Sequence, residues 1–191
     1  VWNSVDSFVS IWKTDNTGTS ANNQVKLPLD PTWTYNFTVD WWDGNTETVT
    51  SSSSTHTYLS DGTYTIIIDG TLEWFSFGSS WGDPKKLIEV QQWWNIKLAS
   101  NSGYQFNWVD NILFSASDTL DTSNVINMSQ IFGQATNFNQ DIGDWDTSNV
   151  ENMSYAFYLA SDFNQDIGDW DTTNLSNIYW MFYYATSFDQ D

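Results

Sequence analysis

The sequence predicts a mainly β fold with short helices, in which a β-sandwich over residues 1–84 precedes a solenoid of stacked turns over residues 85–191. Three observations predict it: short alternating β-rich runs in the N-terminal part, a 25-residue self-similarity in the C-terminal part, and a Gly-Asp-Pro loop at 82–84 between them. An aromatic content of 18% argues against disorder, because aromatic side chains bury large areas on folding.

The N-terminal part reads as a series of strands. Three β-rich runs occur, at 8–12, 34–42 and 63–70. Apolar residues alternate along the second run, at Tyr35, Phe37, Val39 and Trp41. This alternation is expected of a strand with one buried face, and several such strands at this spacing predict an immunoglobulin-like sandwich.

The C-terminal part repeats every 25 residues, a period within the leucine-rich-repeat range. The stretch FNQDIGDWDTSN at 138–149 recurs as FNQDIGDWDTTN at 163–174. The period defines a degenerate first turn at 87–112, turns at 113–137, 138–162 and 163–187, and an incomplete turn from 188. Matched apolar residues are expected inside, because only stacking on neighbouring turns buries them. They include Val125, Val150, Leu175, Met128, Met153, Ile178, Phe132, Phe157, Phe182, Phe138, Phe163 and Phe188.

Each turn is expected to hold a short strand, near 149–152 in one copy, and a helical or 3₁₀ segment, from about 154 to 160. Ser129 and Ser154 stand where a helix N-cap is wanted. The column Asn124, Asn149 and Asn174 is expected to point inward and to hydrogen-bond backbone groups of adjoining turns as a ladder.

The charge excludes some partners. Five lysines, no arginine and 24 acidic residues give a net charge of −19, which disfavours nucleic acid and anionic membrane surfaces. The absence of cysteine excludes disulfides and thiolate metal sites. No apolar run reaches the length of a membrane-spanning segment.

Acidic side chains form columns at the 25-residue period. Stacked about 5 Å apart, two like charges repel by roughly 0.8 kcal/mol in water, so something should offset the repulsion. For Asp121, Asp146 and Asp171 we expect capping of backbone N–H groups, with Ca²⁺ as the alternative. For Asp141, Asp144, Asp166 and Asp169 we expect a solvated face, and again Ca²⁺ is the alternative. No other cofactor is predicted.

Aromatic residues that vary between turns are the candidate interaction residues: Tyr155, Tyr158, Trp180, Tyr183 and Tyr184. On a rigid scaffold such side chains contact proteins or glycans, or they pack on another turn or subunit. Glycosylation sequons occur at Asn36, Asn127, Asn152 and Asn174. The single histidine, His56, has no second His or Cys near it in sequence, so no catalytic residue is predicted.

Two stretches carry a family resemblance. DWWDGNTETVT at 40–50 with THTYLSDGTYTIIIDG at 55–70 resembles the PKD-like β-sandwich domain, and FNQDIGDWDTSNV followed by NMSYAF resembles the BspA-family leucine-rich-repeat surface proteins of bacteria. Trp42 and Trp94 depart from the pattern, which usually has Gly there, and Trp is hard to accommodate where φ is positive.

The resemblance implies a non-catalytic extracellular or cell-surface protein of adhesin type, whose partners are other proteins or glycans. One alternative starts from the unfinished turn at residue 188. A copy that covers the open face would build a filament of identical subunits by head-to-tail stacking. A remote alternative is an accessory part of a carbohydrate-active enzyme.

Overall fold

The fold is mainly β. The computed structural model describes residues 6–52, 54–78, 82–94 and 96–190. The strands are β1 (Ser7–Lys13), β2 (Gln24–Lys26), β3 (Phe37–Asp40), β4 (Thr46–Val49), β5 (Thr55–Thr57), β6 (Thr63–Asp69), β7 (Leu72–Phe75), β8 (Leu87–Gln92), β9 (Ile96–Leu98) and β10 (Leu113–Phe114). Within the described ranges, the only helix is the 3₁₀ turn Pro84–Lys86.

Six strands form the main sheet, in the order β10-β8-β1-β6-β3-β4. β1 runs antiparallel to β6 and to β8, and β10 joins β8 in parallel. Two smaller sheets pair β2 with β5 and β7 with β9. Strands after residue 84 therefore pair with strands before it, and the two regions defined from the sequence share one sheet and one apolar core.

The predicted alternation along β3 is confirmed. Tyr35, Phe37, Val39 and Trp41 are all buried. Trp42 follows in the left-handed region, with φ of 59°, and its side chain is 58% exposed. The Asp40 carboxylate accepts a hydrogen bond from the Trp42 N–H at 2.8 Å. Trp42 thus stands at a backbone position that favours glycine, and its indole is carried on the surface.

The buried ammonium of Lys86 connects two loops of the sheet region, which is the part of the chain before the layers at 96–190. Lys86 is fully buried, and its Nζ donates to the carbonyl oxygens of Ser20, Ala21 and Gln24 at 3.2, 2.8 and 2.9 Å. The Asp83 carboxylate lies 3.9 Å from Nζ and accepts hydrogen bonds from the N–H groups of the same loop. Because each charge has partners, this burial is tolerated.

Residues 96–190 form layers that stack at the 25-residue period. One column of rings runs through Phe106, Phe132, Phe157 and Phe182, with centroids 5.6, 5.9 and 5.4 Å apart. A second column joins Phe138, Phe163 and Phe188 at 5.9 and 5.8 Å. Equivalent side chains of successive turns therefore lie against one another, as the period predicts.

Backbone hydrogen bonds link the layers and explain why the helical or 3₁₀ segment predicted from about 154 to 160 does not form a continuous helix. The N–H groups of Tyr155, Phe157 and Leu159 donate to carbonyl oxygens of the next layer at 2.8–2.9 Å. The alternate N–H groups of Ala156, Tyr158 and Ala160 bond three residues back. Residues 154–160 are consequently a run of turns, because every second backbone N–H bonds to the next layer and cannot make the bond that a helix requires.

The predicted asparagine ladder forms, but on the outside. The side-chain amides of Asn149 and Asn174 donate to the carbonyl oxygens of Ser123 and Ser148 at 2.8 and 2.7 Å, and both residues are exposed. Inside, the hydroxyls of buried Thr122 and Thr147 link the layers by donating to the carbonyl oxygens of Asp146 and Asp171. The expected strand is reduced to single parallel bridges that join Asn127, Asn152 and Asn177.

Candidate binding surface

The turns that replace the helix present two columns of side chains on one face of the layers. In both columns the backbone is left-handed at every position, with φ between 52° and 65°. The first column is Tyr104, Gln130, Tyr155 and Trp180, and the second is Trp108, Gln134, Leu159 and Tyr184. None of the eight is a glycine, although the left-handed region is unfavourable for residues with a Cβ.

The five aromatic residues singled out from the sequence are brought together by these turns. With Tyr179 they form the aromatic patch: Tyr155, Tyr158, Tyr179, Trp180, Tyr183 and Tyr184. The Trp180 ring stacks on Tyr183 with centroids 4.4 Å apart, and Tyr183 stacks on Tyr158 of the layer before at 5.6 Å. Trp180, Tyr183 and Tyr184 are exposed, so the patch is a surface feature that spans two layers.

Two hydroxyls of the patch, those of Tyr183 and Tyr184, are hydrogen-bonded to each other. A hydrogen bond with Tyr184 raises the pKa of the Tyr183 hydroxyl, and the nearby Tyr184 phenol raises it further. The Tyr183 phenol is therefore neutral at physiological pH and acts as a hydrogen-bond donor and acceptor. The patch offers ring faces and uncharged polar tips.

A groove runs along the second column beside the patch. This layer groove has a volume of about 450 Å³. It is lined by Lys85, Trp108, Asp110, Gln134, Thr136, Leu159, Ser161, Tyr184 and Thr186. At the Trp108 end of the groove, the Lys85 Nζ lies 5.1 Å from the centroid of the Trp108 ring and pairs with the Asp110 carboxylate at 2.7 Å. Tyr184 belongs to both the groove and the aromatic patch.

The predicted acidic columns have two different outcomes. Asp121, Asp146 and Asp171 accept hydrogen bonds from the backbone N–H groups two residues on, at 3.1, 3.0 and 2.8 Å, so their predicted capping role is confirmed. Lys97 also pairs with Asp121 at 2.6 Å. Hydrogen bonds from Lys97 and Ser123 lower the pKa of Asp121 to about 2.

The columns proposed for calcium lie exposed on the surface. The carboxylates of Asp141 and Asp166 accept the N–H groups of Gly143 and Gly168, at 3.0 and 2.9 Å. Asp144 and Asp169 are exposed as well. Across residues 6–52, 54–78, 82–94 and 96–190, no three His, Asp or Glu side chains are grouped so as to hold a metal ion. The geometry of these columns is that of the solvated face expected from the sequence.

The comparison with known families follows the same region. Residues 94–191 match the family described as Mycoplasma protein of unknown function, DUF285. The chain belongs to the DUF285 family. The matched segment takes in the stacked layers, the aromatic patch and most of the layer groove. No curated protein and no solved structure matches the chain.

The sequons inside the DUF285 segment use their asparagines for structure. The Nδ2 of Asn127 donates to Asn101 at 3.0 Å, and that of Asn174 donates to Ser148, while the Oδ1 of Asn152 accepts the Ser154 N–H at 2.9 Å. Asn36, outside the segment, is exposed. A glycan on Asn127 or Asn174 would be attached to a nitrogen that links two layers.

His56 lies in the sheet region, away from the DUF285 segment. Its Nε2 is 2.8 Å from Asp43 Oδ2, and its ring stacks on buried Trp41 with centroids 4.5 Å apart. No helix in the described part of the chain is long and apolar enough to cross a membrane.

Sequence reasoning missed Tyr179, Trp108 and the groove. Tyr179 replaces a serine of the earlier turns, Ser154 and Ser129, so its departure from the period was the available signal. Trp108 lies in the degenerate first turn, whose register is offset by one residue from the later ones, and the period alone did not align it with Leu159 and Tyr184.

Proposed function

We propose that the chain is a non-catalytic interaction module of a bacterial surface protein, and that the aromatic patch is its contact surface. The observation that carries the proposal is the gathering of six aromatic side chains from two layers on one exposed face. Tyrosine and tryptophan dominate protein and ligand contacts because they supply large area with little rotamer entropy.

The patch is preorganised, which favours binding. Its backbone is held to the neighbouring layer by the bonds from the Tyr155 and Leu159 N–H groups, both 2.9 Å. Its rings already touch, as Trp180 and Tyr183 do at 4.4 Å. A ligand therefore meets side chains that lose little further freedom on binding.

The proposed architecture is a leucine-rich-repeat-type solenoid after a PKD-like sandwich. The columns of stacked Phe rings and the resemblance of FNQDIGDWDTSNV to the BspA-family repeats support the first part. The antiparallel pairing of β3 with β4 and β6 supports the second. This resemblance is also the basis for the extracellular, cell-surface location.

A non-catalytic role is supported by the state of the candidate chemical groups. His56 is held by Asp43 and covered by Trp41, which suits a structural role. The acidic columns are regular and either cap turns or face solvent.

The test of the proposal is a matched pair of tryptophans. Trp180 and Trp42 are both exposed and both left-handed, with φ of 52° and 59°, but only Trp180 lies in the patch. The wild-type chain, Trp180→Gly and Trp42→Gly are used as baits for host and matrix proteins and on a glycan array. Binding that is lost in Trp180→Gly and kept in Trp42→Gly supports the proposal. Silence of the wild-type chain on both screens contradicts it.

A further inference from the structure

The layer groove has the dimensions of an oligosaccharide site. A volume of about 450 Å³ is within the range of small-molecule sites. The groove column from Trp108 through Gln134 and Leu159 to Tyr184 takes three layer steps, or about 15 Å at the spacing of neighbouring strands. It is therefore an elongated cleft that follows the stacking direction, with an aromatic ring at each end.

The groove lining combines ring faces with neutral polar groups. Trp108 and Tyr184 supply the rings, and Gln134, Thr136, Ser161 and Thr186 are the neutral polar residues of the lining. The hydroxyls of Ser161 and Thr186 donate to the carbonyl oxygens of Thr136 and Ser161, so toward a ligand they act as acceptors of the hydrogen bonds that sugar hydroxyls donate. The C–H faces of pyranose rings are apolar and lie flat on aromatic rings, so both halves of the lining match the same ligand.

The charged side chains of the groove lining are paired, and the charge of the whole chain disfavours an anionic ligand. The two charged side chains that line the groove, Lys85 and Asp110, neutralise each other at 2.7 Å. The chain as a whole carries −19, so an anionic sugar or a nucleic acid is repelled as it approaches. The groove is complementary to a neutral glycan.

The backbone gives an independent reason to assign a role to these side chains. Trp108, Gln134, Leu159 and Tyr184 have φ of 65°, 62°, 60° and 60°. A glycine would satisfy the turn without steric cost in every layer. The turn itself therefore does not require these four side chains, and all four line the groove.

We infer that the layer groove binds a neutral oligosaccharide that lies along the stacked layers between Trp108 and Tyr184. The inference rests on the proposed function, since it names the ligand class for the groove that adjoins the aromatic patch. Because Tyr184 belongs to both surfaces, a bound glycan reaches the edge of the patch.

The test again uses paired tryptophans. Trp108 lines the groove and Trp42 lies in the sheet hairpin, and they are 39% and 58% exposed with φ of 65° and 59°. Isothermal titration of the full chain uses neutral hexasaccharides of glucose, xylose, mannose and N-acetylglucosamine. A sulfated hexasaccharide and a proline-rich peptide are added as competing probes. Circular dichroism and the unfolding midpoint check that each variant folds.

We expect at least one neutral hexasaccharide to bind. Loss of a stacking ring in Trp108→Gly should weaken its affinity about tenfold or more, and Trp42→Gly, which lies outside both the groove and the patch, should change it less than about twofold. If Trp108→Gly does not fold, Gln134→Gly carries the same expectation of weakened binding. Absence of neutral glycan binding, equal effects of the two tryptophans, or preference for the sulfated sugar or the peptide would overturn the inference.

The outcomes separate this inference from the proposed function. If neutral glycans do not bind, but the wild-type chain binds a protein partner and Trp180→Gly does not, only the assignment of the groove to a glycan fails. If a neutral glycan binds through Trp108 and antibodies to the chain do not label intact cells of the source organism, the surface location in the proposed function fails and the groove assignment stands.

Discussion

The sheet region and the stacked layers bury apolar side chains in different ways. In the sheet region, strands distant in sequence meet, as β1 does with β6 and β8, and a buried Lys86 joins two loops. In the layers, each Phe meets its own equivalents one period away, as Phe157 meets Phe132 and Phe182. The comparison teaches that the layers depend on nearest neighbours, whereas the sheet depends on long-range closure.

The largest expected effect breaks the nearest-neighbour column. Phe157→Ala removes a fully buried ring with a partner on each side, and we expect a loss of about 3 to 5 kcal/mol in the free energy of unfolding. Phe182→Ala removes a half-buried ring and should cost about 1 to 2 kcal/mol. Urea unfolding followed by tryptophan fluorescence measures both, and equal losses would contradict the layered account.

The next effect tests the closure of the sheet region. Lys86→Met leaves the Asp83 carboxylate buried without its cation, and we expect a loss of about 3 kcal/mol. Adding Asp83→Asn should restore part of it, because the uncompensated charge is removed. Because β8 joins the sheet to the layers, hydrogen exchange should show reduced protection in both regions. Loss confined to residues 6–78 would show that the two regions unfold independently.

A smaller effect concerns pH and compares Asp121 with its repeat equivalent Asp146. The pKa of Asp121 is lowered from 3.8 to about 2 in the folded chain, so its contribution is present above pH 3.8 and is lost as pH falls toward 2. The residue is 45% exposed, so screening keeps this contribution below about 1 kcal/mol.

Asp121→Asn should therefore flatten the pH dependence of unfolding between about pH 4 and 2. The matched variant Asp146→Asn removes a carboxylate that caps Ser148 in the same way, and the ion pair of Lys97 with Asp121 is left in place. Urea unfolding midpoints measured across this pH range test the prediction. A larger change in the pH dependence for Asp146→Asn than for Asp121→Asn would contradict it.

The smallest effect compares strain in the two regions. Trp42→Gly relieves a left-handed residue in the sheet hairpin, and the gain, reduced by the extra freedom of glycine in the unfolded chain, should be up to about 1 kcal/mol. Trp180→Gly relieves the same strain but loses ring contacts with Tyr155 and Tyr183, so its effect should be near zero. Thermal unfolding of both variants measures the two changes in stability. A larger stabilisation by Trp180→Gly than by Trp42→Gly would contradict this prediction.

Much of the core could be predicted from the sequence. The period placed Phe138 on Phe163 and both inside, and alternation placed Phe37 and Val39 in the core. The helical or 3₁₀ segment expected from about 154 to 160 does not form a continuous helix because the amides of Tyr155, Phe157 and Leu159 find better-placed acceptors in the next layer. Propensity within one turn contains no information about those acceptors.

Five of the six residues of the aromatic patch were predicted from the sequence, and the geometry of the site was not. The five variable aromatic residues were identified because they depart from the period, and the structure places them together. The layer groove could not be predicted, since Trp108 belongs to a first turn of different register and Lys85 precedes the repeats altogether. The groove depends on the packing of that first turn against the regular layers.

The sequence by itself determined what repeats: the 25-residue layers, the rings that stack inside them, the Asp and Asn columns, and a strongly acidic chain. These follow from local order, because equivalent positions of identical turns must meet when the turns stack. Only the tertiary structure decided that β8 continues the N-terminal sheet, that the turns are left-handed where Trp108 and Trp180 stand, and that a groove results. Those features depend on hydrogen-bond acceptors and surfaces that distant segments supply, and no window of sequence contains them.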